Sequence, residues 1–180
     1  MKIRWAAFNI YLLSSAIFIG CKSPQEKIDA AGSRQQKKEL STIRFHLEAS
    51  DEVPDRTVAV PFLRTSPVFV NVFKDPFLSE HDVLGATISD YMGGFVIQIQ
   101  FDRHGTFVLD GVSTSSKGKR VAILSEFGEK RCLAAPLLSR RIVDGVITFT
   151  PDATRAEAER IVRGLNNAAI KLKKQHRFAP

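Results

Sequence analysis

Residues 87–101, TISDYMGGFVIQIQF, decide the fold. Thr87 to Tyr91 is a β-prone run, Gly93-Gly94 breaks it, and Phe95 to Phe101 follows at once. In the second run Phe95, Ile97, Ile99 and Phe101 fall on one face, with Gln98 and Gln100 on the other. Period-two alternation on both sides of a glycine turn predicts an antiparallel hairpin with one wet face.

Outward from this hairpin, strand signals dominate. Ile43 to Glu48 alternates apolar and polar, and Thr57–Pro61 and Val68–Phe73 are short β-rich runs punctuated by Pro61, Pro67 and Pro76. Lys119–Phe127, Lys130–Ala135 and Gly145–Phe149 read as three more strands, stopped at Gly128 and Pro136. Ser79 to Val83 reads as one helical turn capped by Ser79. Gly105–Ser116 is ambiguous: Phe107, Val108 and Val112 have helical spacing, but β-branched residues and Gly111 oppose it. The last helix is plain. Thr154 and Glu157 make a capping box, and Ala158, Ile161, Val162, Leu165, Ala168, Ala169 and Leu172 recur at three, four and seven. Strands mixed with two to three helices and no βαβ rhythm predict a single α+β domain over 41–175 with a mostly antiparallel mixed sheet, then a tail at 176–180.

The beginning of the chain has a different character. Lys2 and Arg4 precede an apolar stretch, Trp5–Ile19, and Phe18-Ile19-Gly20-Cys21 resembles a bacterial lipobox. Residues 1–20 therefore read as a lipoprotein signal peptide and Cys21 as the lipidated residue, since the apolar stretch is short for a permanent span. An ordinary secretory signal or an uncleaved anchor are the alternatives. Residues 21–40 are polar and poor in aromatics, a flexible tether. The whole chain carries +7, and loss of Lys2 and Arg4 leaves about +5, concentrated in Lys22–Lys38 and Lys171–Arg177. Near anionic lipid such clusters add surface attraction. A lipid-anchored exported chain has no use for nucleic acid. Lys22 in place of Asp favours the outer membrane in a cell that has one. With Cys21 acylated, Cys132 has no partner and reads as a small half-buried hydrophobe.

No catalytic constellation emerges, so the chain does not read as an enzyme and no cofactor or metal is expected. His46, His81, His104 and His176 lack metalloprotease spacing. Asp102 and His104 lie close but have no third ligand in sequence, and His104 before Gly105 reads as a turn residue. Gly111–Ser115 lacks the second glycine of a nucleophile elbow.

From about Pro76 to Asn167 the order of features resembles the head of the first periplasmic domain of the SecD protein-export subunit. The resemblance rests on Leu78–Asp82, the Phe95–Phe101 strand with Asp102 and Gly105, and Gly118-Lys119-Arg120-Val121-Ala122-Ile123. It continues through Ala134-Ala135-Pro136-Leu137-Leu138, the Ile142–Gly145 turn into Val146–Phe149, and the helix from Thr154 to Leu165. It implies an α+β head outside the cytoplasmic membrane that handles chains emerging from the translocon. SecD also has membrane helices that couple movement to proton flow. This chain has none after its signal, so the recognition part alone is expected. Gly105, Gly118 and Gly145 read as boundary glycines needing φ > 0 or a tight turn, and Pro136 as a strand stop. The expected function is a lipid-anchored envelope module that binds secreted or envelope polypeptide in an apolar groove beside a strand edge. Phe95–Phe101 and Thr154 mark where to look for it. A structural lipoprotein with one fixed partner, or a hydrolase assembled from distant His, Asp and Ser residues, stand as alternatives.

Overall fold

The computed structural model describes residues 39–50 and 54–178, and the side chains of 55–175 and 39–50. Cys21, the signal segment and most of the tether lie outside the described residues. Among the described residues nine strands and two α-helices form an α+β fold in which every strand pair is antiparallel. One sheet has four strands in the order β4 (Leu78–Ser79), β1 (Thr42–Leu47), β7 (Val121–Phe127), β8 (Glu129–Ala134). A second has three, β5 (Val83–Tyr91), β6 (Gly94–Phe101) and β9 (Val146–Phe149). A third is the two-stranded hairpin of β2 (Thr57–Phe62) and β3 (Val68–Phe73), joined to the end of β1 by a bridge between Glu48 and Val72.

The expected hairpin is β5–β6. Asp90 pairs with Phe95 and Ile88 with Ile97, and Met92 and Gly93 turn the chain with positive φ. Ile97, Ile99 and Phe101 are buried while Gln98 faces water, as the alternation required. They join Phe45 of β1, Ile123 of β7, Phe149 of β9 and Ile161 and Leu165 of the last helix in one core. β7 follows another rule. Val121 to Ser125 are all buried, because Val121 and Ile123 enter that core while Ala122 and Leu124 lie under β2–β3. A strand covered on both faces reads as a continuous apolar run.

Arg103–Ser115 is the helix α1, which resolves the ambiguity at Gly105–Ser116. Asp102 caps it, its carboxylate accepting from the Gly105 N–H at 2.8 Å. Gly105, Leu109 and Ser113, four apart, face the core, and Phe107 points outward. Burial of Leu109 and the cap outweigh the weak propensities of Thr106, Val108, Gly111 and Val112. Gly105 does not have positive φ. It is needed for closeness: a Cβ there would lie 2.9 Å from Phe101 Cβ and 3.0 Å from Asp82 Cβ. Gly118 (φ +88°) and Gly145 (φ +66°) do take the left-handed conformation.

The last helix, α2, is Arg155–Phe178 and runs three residues into the stretch read as a tail. Its capping box is present: the Thr154 N–H donates to Glu157 Oε2 at 2.9 Å and the Glu157 N–H to Thr154 Oγ1 at 3.3 Å. Gly164, which the sequence did not single out, lets β1 approach, since a Cβ would meet Ser41 Cβ at 2.8 Å. Glu39, just before the expected domain, is bound to this helix. Asn167 Nδ2 donates to the Glu39 carbonyl at 3.0 Å, and Arg160 and Arg163 flank its carboxylate.

Candidate functional site

β8 is one of the two outer strands of the four-stranded sheet, with β4 the other, and β9 is one of the two of the three-stranded sheet, with β5 the other. Among the described residues no strand continues either sheet, and the edges at β8 and β9 border one cavity of about 760 Å³. Its walls include Leu63, Tyr91, Val96, Leu133, Phe149 and Pro151. A neighbouring space of about 460 Å³ lies under β2–β3 and is lined by Val58, Pro61, Phe62, Pro67, Leu124 and Cys132. Phe62, Leu63 and Asp152 line both, so together they form one groove. Its surface is largely apolar and its borders carry sheet edges; the Leu133 carbonyl of β8 already accepts from the Asp152 N–H at 2.7 Å, and unpaired groups of an edge strand are a template for an added one.

The tip of β2–β3 roofs the groove. Leu63 has φ +70°, a conformation that side-chain-bearing residues seldom adopt, and is 45% exposed. Its neighbour holds it there. The Arg64 N–H donates to Asp152 Oδ2 at 2.7 Å, and the Arg64 guanidinium reaches Glu157 at 3.0 Å and Glu129 at 3.4 Å. Arg131 donates to the Asp152 carbonyl at 2.7 Å and lies 3.5 Å from Glu157. Glu157 is thus the hub between hairpin and helix. The Thr154 N–H first, and Arg64 next, hold its carboxyl down at about 2. Tyr91 is 60% exposed at the mouth, and beside it Arg155 binds Asp90 and lies 5.9 Å over the Phe95 ring.

Of the residues singled out from the sequence, Pro136 is in the groove wall and Thr154 and Glu157 stand at its end. Gly105, Gly118 and Gly145 lie apart from it and support α1 and its neighbouring turns. At Gly145 a Cβ would fall 2.1 Å from Thr106 Oγ1, and the Gly145 carbonyl accepts from the Phe101 N–H at 2.9 Å. Phe95–Phe101 is not an edge: β6 sits between β5 and β9, and β9 borders the groove. Sequence reasoning missed Leu63, Arg64, Tyr91 and Asp152. Leu63 carried a faint signal, an apolar residue in the turn between two strand-like runs.

A second cluster corrects the reading of Asp102 and His104. The turn read at Ser79–Val83 is a 3₁₀ turn over Glu80–Asp82, and it supplies Asp82 as a third group, with ligand atoms of all three within 4.8 Å. His104 is in the first turn of α1, not in a loop, and its Nδ1 lies 2.9 Å from Asp82 Oδ1. The carboxylates are already engaged. Asp82 Oδ2 accepts from the Ser79 N–H at 2.9 Å, and Asp102 caps α1. Ser79 Oγ touches Asp82 and not the imidazole, so no nucleophile–base contact forms there. His46 is buried, with Nδ1 2.8 Å from the Phe73 carbonyl, and burial lowers its pKa. Cys132 is buried too, and burial raises its thiol.

No family model and no curated protein matches the sequence. Solved structures do match it in fold. One is SecDF, described as a membrane component that enhances protein export: TM-score 0.54, 15% identity, covering 83% of this chain and 71% of that one. Another is SecDF in a super-membrane-facing form, with TM-score 0.53 and 16% identity, covering 81% of this chain. The chain spans 21% of the length of that second SecDF structure. The likeness shows a shared antiparallel α+β fold. Among the described residues no helix is long and apolar enough to cross a membrane.

Proposed function

We propose that this protein is an envelope module that binds extended polypeptide in the groove between β8 and β9, held to its membrane by lipid on Cys21 and working alongside protein export. The observation that carries the reading is the meeting of two sheet edges over an apolar cavity. An extended chain laid there finds backbone partners along an edge and apolar walls for alternate side chains. The lipobox-like Phe18–Cys21 supports the anchor, and the fold shared with SecDF supports the link to export. The protein contributes recognition only, with no reaction to perform.

The test is fluorescence anisotropy of the purified chain with a reduced, carboxymethylated polypeptide, which stays unfolded, and with its folded parent. Binding of the unfolded form alone is expected, and Leu63→Asp with Tyr91→Asp should weaken it by about tenfold or more. Equal affinity for both forms, or none for either, sinks the proposal. Photo-crosslinking in cells from Tyr91 and Thr150 then separates the roles. Many secretory chains support export, whereas one recurring envelope protein makes this a structural adaptor.

A further inference from the structure

Helix α2 joins two ends of opposite character. Near its start the charges are matched, Arg64 and Arg131 against Glu129 and Glu157. Burial along the helix stops at Ala169. Beyond it Lys171, Lys173 and Lys174 are exposed and pair with no acid among the described residues. Ile170 just before them is exposed, and Leu172 among them is half-buried. Lys171 and Lys174 are one turn apart, a like-charge spacing that costs an isolated helix a little stability. The helix dipole offsets part of that cost near a C-terminus, but it does not account for the apolar residue set among the lysines.

The chain enters the fold midway along the helix. Glu39 is bound by Arg160, Arg163 and Asn167, in the middle of the helix and four residues or more before its first exposed lysine. The residues before it, Lys22–Lys38, are themselves rich in Lys and Arg. Lys174 lies roughly 25 Å along the helix axis from Glu157, which holds the roof of the groove.

We propose that the basic end of α2 is a docking surface for the anionic face of a lipid bilayer, so that the domain stands with this end on the membrane and the groove facing away. Charge complementarity commits the surface to lipid: three exposed lysines pair with no acid among the described residues and stand beside an exposed isoleucine. The proposal rests on the lipid anchor for how the chain reaches the bilayer; the contact itself is made by Lys171, Lys173, Lys174 and Ile170. A groove held away from the headgroups remains open to a polypeptide arriving from the aqueous side.

The full chain, purified from membranes, is first weighed by intact mass. Acyl mass at Cys21 supports the anchor, and its absence overturns that reading without touching this one. The protein, with Gln175→Cys carrying a spin label, is then placed in nanodiscs of phosphatidylcholine alone or with a third phosphatidylglycerol. Burial of the label against aqueous relaxation agents is expected only with the anionic lipid, and it should vanish near 0.5 M salt, where screening is short-ranged. A label at Thr65→Cys, beside the groove roof, should stay aqueous in both. The triple change Lys171→Glu, Lys173→Glu, Lys174→Glu should abolish burial of the Gln175 label on the anionic lipid while the acyl anchor keeps the chain on the nanodisc. The corresponding triple change to Arg should retain the burial. Melting without lipid should be nearly unmoved by either, because these side chains lie beyond the last buried residue. A Gln175 label equally exposed on both lipids, or unaffected by charge reversal, overturns the proposal.

Discussion

The protein holds two antiparallel hairpins of similar composition, β5–β6 and β2–β3, and spends them differently. In β5–β6 the apolar face is shut inside the main core, with β9 paired on one side and α2 packed across it. In β2–β3 only part of the apolar surface is covered. Val60, Phe62, Val70 and Val72 rest on Ala122, Leu124 and Cys132, while Val58, Leu63, Val68 and Phe69 remain exposed. The smaller cluster, the Arg64 contacts and the links from β3 to the end of β1 (the Ala49 N–H to the Asn71 carbonyl at 2.8 Å, and His46 Nδ1 at 2.8 Å from the Phe73 carbonyl) hold it down. One hairpin therefore builds the scaffold, and the other makes an adjustable roof. Regions with few buried contacts open at lower free energy than the core, and sites that admit ligands are drawn from them.

The sharpest way to break this contrast is to cut a side chain from each. Phe101→Ala removes a ring that is 1% exposed and stands 5.2 Å from the Phe45 ring. Its expected cost is roughly 3–5 kcal/mol, enough to unfold much of the protein. Phe62→Ala, in the roof, should cost only about 1–2 kcal/mol, because the side chain is partly exposed already. Urea denaturation followed by tryptophan-independent circular dichroism measures both, and equal losses would erase the distinction between scaffold and roof. Gly145→Ala should come next on the scaffold side, at roughly 2–3 kcal/mol. The added methyl strikes Thr106 and φ is +66°. Thr106→Gly in the same chain should recover part of the loss by removing the collision, but not the backbone strain.

Legibility follows the same division. The β5–β6 turn, the alternation of Phe95–Phe101 and the Thr154–Glu157 box were readable because each is local: period, turn residue and cap sit within a few positions of one another. α1 was harder, since Leu109 owes its helix to a buried place that neighbouring propensities do not announce. The groove was not readable at all. It arises where β8 and β9, the last strands of separate sheets, come together, and strand order is a long-range property. Arg64 meets Glu157 across 93 positions, and nothing near either residue signals the other.

Removing the clasp sharpens the comparison with less damage. Arg64→Ala should cost about 0.5–1 kcal/mol overall, as expected for a partly exposed ionic contact. Its effect should be local. Hydrogen exchange at amides of β2 and β3 should accelerate several-fold, while β5 and β6 keep their protection. Uniform acceleration in both hairpins would mean that they open together and that the roof has no independence.

The smallest effect should be a pH dependence of that same clasp. Glu157 titrates at about 2 in the folded protein, against an ordinary value of 4.5, because the Thr154 N–H and Arg64 favour its charged form. A depressed carboxylate stabilises the fold fully above its unfolded value. That contribution fades as pH falls from about 4.5 toward 2. The full shift would be worth roughly 3 kcal/mol. The side chain is 36% exposed, so screening should leave about 1 kcal/mol in practice. Acid should therefore loosen β2–β3 before it affects the core, and Glu157→Gln should remove much of the difference in hairpin exchange between pH 5 and pH 3. If the variant keeps the wild-type pH profile, Glu157 does not govern the clasp. Either outcome still separates the roof, which is held by charges and responds to acid, from β5–β6, whose apolar core holds no group that titrates in that range.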